Sequence, residues 1–301
     1  MAELVRPERR TFRVGGSAVE AGRMREGRRR RQLVGVGRHL MLAAVTFILV
    51  APFYYVVIAS LKNGTEIFTY PPKLVPFPPY LGNYQKLLFN TGFPRWMLNT
   101  LFVAGTVTTI KVFLDSMAGY ALAKLDLSGK RIIFLFMLIL LMVPLGALIV
   151  PLWALASTLG ITNTYLALIL PPLANPLGVF LMRQFILGLP SDLENAGRLD
   201  GLSEFQIYRL IILPLIKPGL VVLAVIIFTD QFMSFVWPLI ATTSDSLQVL
   251  TVGVAALRAH GGADYGLWSA AAVMSLVPIG VFFFVLQRQF LARSLAGALK
   301  Q

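Results

Sequence analysis

The fold class predicted by this sequence is an all-α membrane protein with six transmembrane helices, on three observations. Hydrophobic residues make up 56% of the 301 residues and charged residues only 14%, and the mean hydropathy is +0.73. An average soluble domain carries roughly 25% charged residues. Six apolar runs lie at approximately 39–61, 96–120, 131–153, 164–187, 218–241 and 268–290, each close to the ~20 residues that a helix needs to cross ~30 Å of hydrocarbon. The connections between them alternate in positive charge, as membrane loops do.

Taken in order, the first element is a basic arm over residues 1–38, expected to lack fixed structure. It carries Arg6, Arg9, Arg10, Arg13, Arg23, Arg25, Arg28 to Arg31 and Arg38, and holds much of the formal net charge of +13. These arginines are interrupted by glycine and glutamate and not by a series of aromatic residues that could stack bases, so a nucleic-acid partner is not expected. Anionic lipid on the inner membrane face is the natural counter-surface. The apolar run at 39–61 is long enough to span and follows a long basic arm, which predicts a retained anchor in place of a cleaved signal peptide.

With the arm inside, the transmembrane region 39–301 is oriented, and both termini are cytoplasmic. Lys124, Lys130 and Arg131 in the second connection, Arg198, Arg209 and Lys217 in the fourth, and Arg288, Arg293 and Lys300 in the tail then all fall inside. The connection at 154–163 carries no charge and falls outside. The loop at 62–95 also falls outside although it carries Lys62, Lys73, Lys86 and Arg95. Its length and prolines at 71, 72, 76, 78 and 79 predict a structured excursion that meets another protein.

Charged groups at membrane depth are costly unless paired or hydrated, which makes them functional candidates. Lys111 and Asp115 are four apart and share a helix face. They either face a translocation path or form a neutral pair locking helices together. Asp230 and Gln231 interrupt the fifth run, with the same two readings. Met233 and Ser234 are given no substrate contact. Prolines at 144, 151, 171, 172, 176, 238 and 278 are bends or helix ends, with helix ends expected for Pro151, Pro171 and Pro172. With no cysteine and two distant histidines, His39 and His260, neither a disulfide nor a metal site is expected. No G-x-x-x-x-G-K-[ST] phosphate loop is present, and no catalytic residue is expected.

The segment 190–218, PSDLENAGRLDGLSEFQIYRLIILPLIKP, is polar between apolar neighbours. Ser191 with Glu194, and Ser203 with Gln206, match the capping box, so two short helices are predicted with a turn at Gly201. The spacing of Glu194, Ala196, Asp200, Gly201, Phe205, Ile212, Leu213, Pro214 and Pro218 resembles the cytoplasmic signature loop of permease subunits of binding-protein-dependent ABC importers. Asn195 and Leu202 stand where that family usually has alanine.

Further matches are similar to its carbohydrate branch, of the maltose (MalG-like) type. They are Asn99-Thr100, Ala118 to Ala123, Gly129-Lys130-Arg131, Leu159 to Tyr165, Phe180 to Phe185 before Leu189-Pro190, and Gln287 to Phe290 with Ala296-Gly297-Ala298. The resemblance implies the type I ABC importer (MetI-like) fold and a multi-pass subunit in the inner or plasma membrane of a prokaryote. It implies that Glu194, Ala196, Asp200, Gly201 and Phe205 dock on an ATP-binding subunit, present in two copies and carrying the ATP and Mg²⁺ that this chain lacks. A second permease, an extracytoplasmic solute-binding protein and a sugar-type solute complete the expected partners. The rival is a carrier or channel driven by an ion gradient, with Lys111, Asp115 and Asp230 as its coupling groups; the docking loop has no use in such a protein.

Overall fold

The computed structural model describes residues 17–71, 73–260 and 264–298, and of those before 35 and after 286 the backbone alone. The chain divides into two compact units, residues 1–55 and 56–301. Unit one is the greater part of α1 (Ser17–Ser60), a helix of 44 residues. Its apolar stretch Gly35–Ser60 is long enough to cross a membrane. The basic stretch 17–38, expected without fixed structure, is helical here. Arginine and glutamate are good helix formers, and a helix already nucleated extends cheaply. Residues 1–16 of the arm lie outside the described residues, as does Lys300 of the tail.

The second unit contains the remaining helices. The loop at 62–95 holds a 3₁₀ turn (Gly64–Glu66) and α2 (Gly82–Phe89). There Asn83 Nδ2 donates to the Ser60 and Lys62 carbonyls at 2.9 and 2.8 Å, satisfying groups that the end of α1 leaves open. Then come α3 (Phe93–Lys124), α4 (Lys130–Leu141), α5 (Leu145–Thr158), α6 (Tyr165–Leu173) and α7 (Leu177–Leu187). The polar segment forms α8 (Asp192–Leu199), α9 (Glu204–Ile207), a π-helix (Tyr208–Ile212) and α10 (Leu213–Leu215). Last are α11 (Lys217–Met233), α12 (Val236–Ala241), a 3₁₀ turn (Asp245–Leu247), α13 (Leu250–His260) and α14 (Tyr265–Ala298).

Among the described residues three helices are long and apolar enough to cross a membrane, and six crossings result if each bent pair is one span. The third and fourth expected spans are two of these bent pairs; the remaining pair, Glu204–Leu215 with Lys217–Met233, bends by 79° just ahead of the expected fifth span, which itself breaks further on. The third bends by 103° between α4 and α5, where Pro144 is extended (φ −68°, ψ 138°) and offers no amide hydrogen. The fourth bends by 40° between α6 and α7, at Pro176. The fifth, expected over 218–241, ends its first helix at Met233 and restarts as α12. Helix α13, placed by the sequence in a connection, is an additional short apolar helix.

Pro151 lies in the middle of α5 and does not mark a helix end, whereas Pro171 and Pro172 fall in the last turn of α6, which stops at Leu173, as expected. At Pro171 the cost is covered from outside: its missing N–H frees the Ala167 carbonyl, which accepts from Trp237 Nε1 at 2.8 Å. Helix α3 is the hub of this unit and packs against α6, α7, α11 and α13. One buried cluster includes Val107, Met182, Ile186, Ile207, Ile212 and Leu223. A second joins Leu87, Phe93, Phe228, Leu250, Leu267 and Ala270.

Candidate functional site

The polar loop is built on α3. Ser116, Tyr120 and Lys124 are spaced by one helical turn and so lie on one face. Each reaches the loop. Ser116 Oγ lies 2.7 Å from the Tyr208 hydroxyl, and Tyr120 donates to Glu204 Oε2 at 2.7 Å. Lys124 Nζ pairs with Glu194 Oε1 at 2.8 Å and donates to the Leu189 carbonyl at 2.9 Å. Arg198 Nε closes the network on Glu204 at 2.8 Å.

Two capping boxes were expected, and one forms. Ser203 accepts from the Gln206 amide while Gln206 Oε1 accepts from the Ser203 amide at 2.8 Å. Ser191 makes no side-chain cap: its backbone is helical (φ −69°, ψ −17°) and its hydroxyl accepts from Lys124 Nζ at 3.4 Å, while Glu194 turns inward to the same lysine and is only 2% exposed. A carboxylate at that depth requires a cation, and this requirement outweighs a cap worth ~1 kcal/mol. Gly201 has φ +79° and ends α8 in the left-handed conformation, as expected. The π-helix precedes Pro214; widening that turn separates the proline ring from the Leu210 carbonyl four residues earlier.

Of the residues proposed for docking, Ala196, Asp200, Gly201 and Phe205 are exposed on the loop, whereas Glu194 is buried beneath it. The sequence reading passed over Leu199, which is 89% exposed on the same surface. An apolar residue facing out of a strongly polar helix was the available signal. It also passed over Lys124 as a functional group, counting it only as a loop charge.

A cavity of about 500 Å³ opens among α3, α6, α7, α11 and α12. Lys111, Asn175, Asp230, Gln231 and Trp237 are among its lining residues, and so are Met233 and Ser234, to which the sequence reading gave no contact. Asp115 stands behind the wall. Its Oδ2 pairs with Lys111 Nζ at 2.9 Å, and both residues are about 5% exposed. Lys111 also donates to the Asn175 carbonyl at the break between α6 and α7. A Cβ on Gly178 would collide with Asp115 Oδ2, so glycine at this position is what lets the carboxylate lie against α7. Lys111 is thus both cavity-lining and part of an interhelical lock. Asp230 is exposed and accepts from Gln231 Nε2 at 2.9 Å.

The model of the family described as "binding-protein-dependent transport system inner membrane component" matches residues 116–295, from Ser116 on α3 through the loop and the cavity. The chain belongs to this family. This transport permease is 35% identical over 261 residues to the arabinooligosaccharides transport system permease protein AraQ of Halalkalibacterium halodurans, covering 86% of this chain and 94% of that one. It is 32% identical over 282 residues to the trehalose/maltose transport system permease protein MalG of Thermococcus litoralis, covering 92% and 99%. In fold the permease is similar to a chain of a bacterial ABC transporter involved in the import of the acidic polysaccharide alginate. The TM-score is 0.76, at 19% identity, over 86% of this chain and 97% of that chain. The expected all-α, ABC-importer permease fold is therefore present, and the chain is a multi-pass membrane component of a transport system.

Proposed function

We propose that this permease is one of two membrane subunits of an ATP-driven importer of a sugar or related solute. The loop at 190–218 docks on a separate ATP-binding subunit, present in two copies and holding ATP and Mg²⁺, and an extracytoplasmic binding protein delivers the solute. The loop and both termini face the cytoplasm of a prokaryotic cell. The observation that carries this reading is the construction of the loop. Its outer face presents Ala196, Leu199, Asp200, Gly201 and Phe205, while its inner face is tied to α3 through Glu194, Glu204 and Tyr208. A force applied to the outer face reaches the helix that also carries Lys111 at the cavity. Glu194 acts in this scheme as the fastener of the docking surface and not as part of it. The carbohydrate cargo is supported by the oligosaccharide and disaccharide systems to which the relatives belong.

Of the three coupling groups open to a gradient-driven carrier, Lys111 and Asp115 neutralise each other inside the wall, which leaves Asp230 alone, and such a carrier has no use for the docking loop. The test is purification of the tagged chain in mild detergent from its own host. Recovery of an ATPase and a second permease is expected, and Gly201→Asp or Leu199→Asp is expected to lower ATPase recovery at least about tenfold by burying an uncompensated charge in the contact. A chain that purifies alone and transports without ATP would refute the proposal.

A further inference from the structure

The charges on the cavity wall do not balance. Lys111 is the basic residue of the lining, and its ammonium group is held by Asp115 at 2.9 Å and by the Asn175 carbonyl. Its charge is consumed within the wall. Asp230 is the acidic residue of the lining, and among the described residues it makes no ion pair; it accepts from the neutral amide of Gln231. Around it stand further groups that bond to hydroxyls, Gln231, Thr229 and Ser234, and two aromatic residues, Phe235 and Trp237.

We infer that Asp230 selects solutes that bring hydrogen-bond donors and no negative charge: uncharged saccharides and polyols, or amino sugars, but not uronates or sugar phosphates. A carboxylate is an acceptor only, so its free lone pairs must be met by donors, and sugar hydroxyls supply them. A second anion about 6 Å away, at an effective dielectric constant of about 20, is disfavoured by roughly 100-fold. Pockets of mostly apolar lining with a few placed polar groups set specificity through such groups. The inference rests on the carbohydrate-import reading and narrows its cargo. Cargo charge is not shared by all proteins of this fold, since the alginate importer takes an acidic polysaccharide.

The chain has no cysteine, so Ser234→Cys places a single thiol of this subunit on the cavity wall. In the assembled transporter in lipid nanodiscs, that thiol is reacted with a cationic and an anionic methanethiosulfonate of similar size. Each rate is normalised to that of free 2-mercaptoethanol. A preference for the cationic reagent of roughly tenfold or more is expected, falling towards one when Asp230→Asn is added. A ratio unchanged by Asp230→Asn, or faster anionic labelling, overturns the inference. Met233→Cys on the same wall repeats the measurement if the first variant does not assemble. Solute protection of the thiol then separates the two levels of the argument. Slowing by millimolar maltotriose and not by a galacturonate trimer supports the selection. Equal slowing by both overturns charge selection alone, and slowing by no saccharide or polyol removes the carbohydrate reading and the cargo class with it.

Discussion

Lys124 and Glu194 are 7% and 3% exposed in their side chains, so each depends on the other for its charge. Removing one partner of such a pair leaves an uncompensated buried ion, at about 3–5 kcal/mol. Lys124→Met should therefore loosen the loop, read as faster hydrogen exchange over α8 and as loss of solute-stimulated ATP hydrolysis. The double variant Lys124→Met with Glu194→Gln should recover part of both, because the orphaned charge is gone; equal damage in single and double variants would contradict the pairing. Lys86 and Asp264 make a more open pair, 2.5 Å apart, outside the spans. Partial burial pushes the Asp264 carboxyl up, but hydrogen bonds from Lys86 and the Leu267 amide outweigh this and hold it below its ordinary value. The stabilisation is therefore fully present above the ordinary carboxylate pKa, about 4, and is lost as pH falls through the lower folded value. Thermal unfolding followed down from pH 6 should show a decline at the acid end that is shallower in Lys86→Met.

At the scale of elements, broken helices make the interior usable. A proline inside a membrane helix frees a carbonyl, and a neighbour must satisfy it. In α6 that neighbour is Trp237 of α12, bonded to Ala167, so one hydrogen bond joins two lining elements of the cavity. Trp237→Phe should cost roughly 1–3 kcal/mol by leaving the carbonyl unsatisfied. Pro171→Ala gives α6 its own donor for Ala167, so the same substitution in that background should cost less. A double-mutant cycle by thermal unfolding in detergent measures the coupling, and strict additivity would show that Ala167 does not depend on Trp237. The break between α6 and α7 is used in a similar way, with Lys111 donating to the exposed carbonyl of Asn175. Lys111 and Asp115 were legible in the sequence as a pair on one helix face. Their choice between path and lock was not, because it turns on Gly178 and Asn175 of other helices.

At the scale of the molecule, α3 joins both candidate sites. One face carries Ser116, Tyr120 and Lys124 to the loop, and within two turns Lys111 meets the cavity. In the proposed scheme the docking loop and the cavity are thus connected through one helix and not by a chain of side chains. The expected loss of ATPase recovery in Leu199→Asp belongs to this scale, since the side chain is 89% exposed and its substitution leaves the inner face of the loop untouched. The exposure of Ala196, Asp200, Gly201 and Phe205 agrees with what the resemblance to the family's signature loop implied. The inward turn of Glu194 was not legible in the sequence, because a capping pattern is local and Lys124 is 70 residues away.

The sequence by itself determined the membrane class, the approximate positions of the apolar runs and the place of the polar loop. Each of these depends on hydropathy and turn chemistry within a few residues. Only the tertiary structure decided where spans break, which face of the loop is open, and that Lys111 is neutralised while Asp230 is not. Those outcomes depend on which carbonyls, carboxylates and ammonium groups from distant segments meet in a medium of low dielectric constant, where an unmet charge or hydrogen bond costs more than a local preference can supply.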